Sequence, residues 1–143
     1  MERWVGQTLR SYSPEMLPFL SGELDPFRNP VGYTLRTNLA ALAHELLGDM
    51  DKGRITEAMD ALVRVRAVQN FSPADAVRFV FELRLAIHET TGSVSQSLDG
   101  RIDELALIAF EQYMRCREQL FDLRLNELRS RVHYVAAGRE VTE

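Results

Sequence analysis

The 143-residue chain has one cysteine, three histidines and no apolar run near the ~18 residues that a membrane span requires. A single cysteine, Cys116, excludes an internal disulfide framework and any Cys-rich metal centre. His44, His88 and His133 fall on three different predicted helices, so no triad is visible, and His44 has no second ligand at helical spacing. No Walker loop, dinucleotide fingerprint or zinc spacing occurs. Glu104, Glu111, Glu118 and Asp122 recur at helical spacing, which is the pattern of a solvated face rather than of paired acids in an apolar cleft. No enzymatic activity, metal or cofactor is therefore expected. A formal net charge of −4 and a pI near 5.4 argue against nucleic acid as a partner, which demands uncompensated cations. Met-Glu-Arg-Trp-Val-Gly-Gln at the N-terminus offers no signal-peptide core, so the expected location is the cytoplasm.

What is present suits one soluble domain over residues 1–143. Apolar residues make up 45% and charged residues 27%, enough for a proper core at this length. Residues 1–29 carry Trp4, Leu9, Tyr12, Met16, Leu17, Phe19 and Leu20, interrupted by Pro14, Pro18, Gly22 and Pro26. They read as an irregular segment of short helical turns, with a cap signal at Ser13-Pro14-Glu15-Met16. Asn29 and Pro30 then open a helix whose Val31, Leu35, Leu39, Leu42 and Leu46 form one face, ended by Gly48 as a C′ glycine. His44 falls off that face, beside Glu45, and reads as solvated.

The stretch from Arg64 to Val80 joins two apolar helices by a tight corner. The first, over 54–69, places Ile55, Met59, Leu62 and either Val65 or Ala67 inward, with Ala58 and Val63 beside them. Its Arg64 and Arg66 point to different sides. Ser72 as N-cap, Pro73 at N1 and Asp75 at N3 start the second, which runs to residue 90. There Ala76, Val80, Leu83 and Ile87 form one stripe and Val77 and Phe81 an adjacent one, a breadth that predicts burial on two sides, with Arg78 and Glu82 paired on the wet edge. The helix-turn-helix outline does not suit DNA, because Phe79, Val80 and Phe81 would face the groove. Residues 90–97 read as a polar linker.

From Leu98 the chain has no proline, and no glycine but Gly100 until Gly138, so one long helix over 98–136 is predicted. Leu98, Ile102, Leu105, Ala109, Tyr113, Cys116, Leu120 and Leu123 form one stripe. Leu107, Phe110, Met114 and Phe121 form a second, and the two together predict packing on two sides. Cys116 on this stripe reads as a small buried hydrophobe. Further on, Leu125, Leu128, Val132 and Val135 leave a narrow seam of coiled-coil type. Self-association is the preferred reading because the helix outruns the other elements; docking on the chain's own N-terminal turns is the alternative. The fold class is thus an all-α, single-domain helical bundle with a long C-terminal helix.

Three segments carry a family resemblance: Asp25-Pro-Phe-Arg-Asn-Pro-Val-Gly-Tyr33, Arg64-Val-Arg-Ala-Val-Gln-Asn-Phe-Ser-Pro73 with Ala76-Val77, and Tyr113-Met-Arg-Cys-Arg-Glu118. They resemble the N-terminal domain of the RsbRD-type co-antagonists of the RsbT kinase, sensory modules that precede a STAS domain in stressosome-like regulators and also precede some sensor kinases. The resemblance implies a helical, non-haem, globin-like and dimeric input domain whose C-terminal helix leads toward an effector. The sequence ends at Glu143 without a STAS or kinase domain, which makes a stand-alone module acting on a separate protein partner the expectation. Arg28, Asn29, Arg64, Arg66, Gln69 and Asn70 are the candidate residues for a ligand or partner. Leu125, Leu128, Val132 and Val135 are the candidate homodimer seam. Two alternatives remain: a haem or small-ligand protein, with His88 as the test residue, and an accessory subunit of a metabolic complex.

Overall fold

The computed structural model describes residues 2–12 and 25–140, together with Pro14, Pro18 and Gly22. Among them are five helices and no strand: α1 Glu2–Arg10, α2 Pro30–Leu47, α3 Lys52–Val68, α4 Pro73–Thr91 and α5 Gln96–Glu140. The all-α class is as the sequence implies. α3 lies against both α2 and α5, α4 against α5, and α1 against α4. No described helix is long and apolar enough to cross a membrane.

Each helix from α2 to α4 begins where a side chain satisfies one of the first free N–H groups. Asn29 Oδ1 accepts from Gly32 N at 2.9 Å, Asp51 Oδ1 from Arg54 N at 2.9 Å and Ser72 Oγ from Asp75 N at 3.1 Å. Gly32 has a specific reason to be glycine, since a Cβ there would collide with the capping Asn29 side chain. The core is then supplied by one face of each helix: Leu35, Leu39, Leu42 and Leu46 from α2, Ile55, Met59, Leu62 and Ala67 from α3, Ala76, Val80 and Leu83 from α4, and Ile102, Leu105, Ala109 and Tyr113 from α5.

Several expectations are corrected. Residues 2–10 form a regular helix rather than irregular turns, because Trp4, Val5, Thr8 and Leu9 make a buried face and no proline intervenes before residue 14. Met16, Leu17, Phe19, Leu20 and the cap at Ser13 lie outside the described residues. Gly48 does end α2, but at φ −107° it is not left-handed; Met50 takes the positive φ of 56° two residues later. On α4 the second buried stripe runs through Phe79 and Ala86, leaving Phe81 exposed. Arg78 turns back to Asp75 at 3.1 Å instead of forward to Glu82, joining the N-terminal cap. The long helix starts two residues before its predicted bound and runs four past it, through Gly138. Leu107, Phe110, Met114 and Phe121, predicted to pack inside, are all exposed, as is Leu123.

The α2–α3 turn is held by a buried acid. Glu45 Oε2 accepts from Asp51 N at 3.0 Å and Oε1 lies 3.4 Å from Arg54 Nη1. The Asp51 amide foremost, and then Arg54, holds the Glu45 carboxyl below its ordinary value of 4.5 despite burial. A depressed folded-state pKa contributes stability that is present above the ordinary value and lost as pH falls through the folded one. Asp75, lowered by Ser72 and Arg78, has the same sign. Urea midpoints measured from neutral pH down through the acid range should therefore decline in the wild type, with a flatter decline in Glu45→Gln that Asp75 keeps from vanishing.

Candidate functional site

α3 ends at the corner in a Schellman closure. Phe71 N donates to Arg66 O at 3.2 Å and Asn70 N to Ala67 O at 3.3 Å, while Asn70 sits at φ 59° in the left-handed region. Asparagine is among the few non-glycine residues that tolerate this conformation. The hydrophobic contact that accompanies such a closure is here made by an arginine: the Arg66 guanidinium carbon stands 5.0 Å from the Phe71 ring centroid.

Arg66 is 1% exposed and is surrounded by π faces. Tyr12 at 4.9 Å and Phe79 at 4.8 Å complete a three-ring cage with Phe71. Nη1 donates to Asp75 O at 2.9 Å and Nη2 to Ser11 Oγ at 3.0 Å. One side chain therefore ties the end of α1, the corner and the first turn of α4 together. Burial pushes the Tyr12 phenol upward, opposed by the adjacent Arg66 charge. Tyr113 of α5 adds a fourth element by donating its hydroxyl to Phe71 O at 2.6 Å.

Outside the cage is a polar concavity of about 260 Å³ bordered by Gln69, Asn70, Ser72, Arg78 and Glu82. The structure thus gathers Arg66, Gln69 and Asn70, but not the whole predicted set. Arg64 points to the other side and pairs with Asp60 at 3.1 Å. There it shares an open groove with Val65, Val68 and Gln69. Asn29 caps α2, and Arg28 is exposed just before it. Cys116 is buried with Sγ 3.6 Å from Asp60 Oδ1, and burial first, then the neighbouring carboxylate, raises its thiol pKa, opposite to what a reactive cysteine needs. His88 is exposed on α4, and His44 is exposed beside Glu45. Among the described residues no group of three or more His, Cys, Asp or Glu side chains is placed to hold a metal.

Sequence reasoning misses the cage and its partners from α1. The available signal is spacing: Met59, Leu62 and Arg66 step by three and four, which puts a cation on the buried face of α3. Arg84 is missed too; it bridges Asp99 at 2.8 Å and also binds Asp103, fastening α4 to α5.

The seam residues have a continuation that periodicity alone assigns to the core. Leu107, Met114, Phe121, Leu128 and Val135 follow one another at intervals of seven, and every one of them is exposed. Leu107, on the body of the bundle, is 71% exposed. Leu125 is half-buried and Val132 exposed, and these two supply the alternate positions of the heptad in the second half. Phe81 and Leu85 of α4, both exposed, flank Arg84, whose contact Asp103 lies one turn before Leu107.

Comparison with known proteins identifies the family. Residues 1–128 match the family described as the RsbT co-antagonist protein rsbRD N-terminal domain, and the chain belongs to that family of regulatory signalling domains. An uncharacterized protein of Archaeoglobus fulgidus is 32% identical over 77 residues, a stretch covering 51% of each chain. The match thus spans about half the length of that relative. No solved structure shows a significant match.

The two arginines of the corner should separate in a stability measurement. Arg66→Ala should cost about 3 kcal/mol in urea unfolding, because three cation–π contacts and two partly buried hydrogen bonds go together. Arg64→Ala, which breaks only an exposed i,i+4 pair, should cost less than ~0.5 kcal/mol. Asn70→Gly should be tolerated, whereas Asn70→Val should destabilise by about 1–2 kcal/mol through the strained left-handed backbone.

Proposed function

We propose that the protein is a cytoplasmic, non-enzymatic input module of signal transduction that works as a homodimer joined along α5 and passes its signal by protein contact. The observation that carries this reading is the exposed heptad row from Leu107 to Val135 on a helix that outruns its own bundle. An apolar row repeating every seven residues matches a supercoiled partner of the same period, and a second copy supplies one. Family membership supports the regulatory role. Docking of the seam on the chain's own N-terminus has no support among the described residues, because α1 and Tyr12 lie against α4 and the corner.

A ligand or partner that prefers one arrangement of the bundle would shift the population of α5 positions, and a second protein in contact with the helix would read the shift. Within the corner set, Arg66 and Asn70 serve the fold. Gln69 and Arg64, on the open groove with the exposed Val68, are the accessible contact residues for such a partner. A haem reading through His88 gains nothing from the structure, since that side chain lies exposed on the rim of α4.

Native mass spectrometry of the wild-type chain should give twice 16.3 kDa. Leu128→Asp with Val132→Asp should yield a monomer with an unchanged helical circular-dichroism spectrum, and Met114→Asp with Phe121→Asp should do the same from the body half of the row. A wild-type monomer, or a dimer that withstands both pairs of charges, would remove α5 as the joining element.

A further inference from the structure

A cavity of about 270 Å³ lies where α1, the end of α2, the end of α4 and the first turn of α5 meet. Its walls are carbon: Trp4, Leu46, Leu83, Ala86, Ile87 and Leu98. The polar side chains at its edge are already engaged within the chain. Thr90 Oγ1 donates to Ala86 O at 2.8 Å and Thr91 Oγ1 to Ile87 O at 2.9 Å. Arg3 is paired with Glu89 at 2.8 Å, and the Trp4 indole N–H donates to Phe79 O at 2.7 Å.

Two consequences follow from that lining. Water is a poor occupant, since a buried water needs two to four polar partners and these walls offer none that is unengaged. The space is a cleft open on one side, and its volume exceeds the ~150 Å³ of an apolar cavity that takes up benzene. We infer that this cavity is a binding site for a compact, neutral, apolar molecule of about one to two rings in bulk. Neutrality follows from the lining: its one charged side chain, Arg3, is paired with Glu89, so a charged ligand would have to separate that pair or enter the carbon walls without a counter-charge. Leu47, Arg3, Thr90 and Thr91 at its edge are exposed, so the space opens to solvent. Leu98 is one wall, so an occupant touches the first turn of α5. That link to output rests on the signalling role proposed above, whereas binding itself does not depend on it.

Trp4 is the sole tryptophan of the chain and forms part of the wall, so its emission reports occupancy directly. Bromobenzene, a neutral heavy-atom quencher, should quench the full-length wild type along a saturating curve. Cyclohexane, which fits the same walls and does not quench, should restore the emission competitively. 4-Bromobenzoate, the same ring with a carboxylate, should bind at least ~10-fold more weakly. Ala86→Leu, which fills the cavity, should turn the bromobenzene curve into a linear collisional one; should that variant fail to fold, the cyclohexane competition tests the same site in the wild type. Linear quenching of the wild type, or no recovery with cyclohexane, would overturn the site. Equal or tighter binding of 4-bromobenzoate would overturn the neutral ligand class. Each of these outcomes is read independently of the oligomeric state.

Discussion

Arg66 is the constraint on which the arrangement of helices depends. A guanidinium at 1% exposure is tolerable only where its desolvation is offset, and here three aromatic faces and two hydrogen-bond acceptors offset it. The cage cannot be assembled piecemeal. Phe71 comes from the corner, Phe79 from α4 and Tyr12 from the residues after α1, so the cation is satisfied only once all three have docked. The geometry of the corner follows from the same residue, because its carbonyl accepts from Phe71 N and closes α3. Tyr113, bonded to Phe71 O, extends the hub to α5. A single aligned set of contacts thus fixes α1, α3, α4 and α5 relative to one another.

How much of this is legible in the sequence depends on the range of the interaction. Helix starts at Asn29-Pro30 and Ser72-Pro73 are readable because capping is decided within three residues. The inner faces of α2 and α3 are readable from periodicity, and so is the opposite orientation of Arg64 and Arg66. The cage is not, since Tyr12 and Arg66 are brought together across the fold with no local signature. The error on Phe81 and on Leu107, Phe110 and Met114 has a different origin. Periodicity shows that a helix is apolar on two sides, but it does not distinguish a side packed on its own chain from one left for another molecule. Asn70 shows a third limit: a polar residue at a helix end reads as a ligand-binding candidate until its φ of 59° assigns it to the backbone closure.

α5 carries two apolar stripes with the same seven-residue repeat, and burial separates their roles. The buried stripe, Ile102, Leu105, Ala109, Tyr113 and Cys116, steps by three, four, four and three, so Ile102, Ala109 and Cys116 also recur every seven residues, and it lies against α3 and α4. The exposed row keeps the same interval over four heptads, from Leu107 to Val135, and over that length it remains on one side only if the helix supercoils with a partner. Burial also divides the helix along its length. Cys116 is the last fully buried residue, and beyond it only Leu120 and Leu125 are half-buried. Up to Cys116 the helix serves its own bundle, and afterwards its apolar residues have little use within the described part of the chain.

That division also sets where a small change can act on the whole helix. The side-chain ties to α5 are concentrated in its first half: Arg101 donates to Leu46 O and Gly48 O, Asp99 and Asp103 hold Arg84, and Tyr113 holds Phe71 O. From residue 117 to residue 140 the helix extends about 36 Å past the last of its buried residues. A tilt of ~5° about Tyr113, from a change in packing at Leu98, would move the far end by about 3 Å, enough to take heptad side chains out of register with a partner. Close-packed cores resist continuous deformation, so such a tilt requires an alternative packing to be available. The carbon-lined cavity beside Leu98 is a place where the described structure leaves room for one, next to the first turn of the helix and far from its free end.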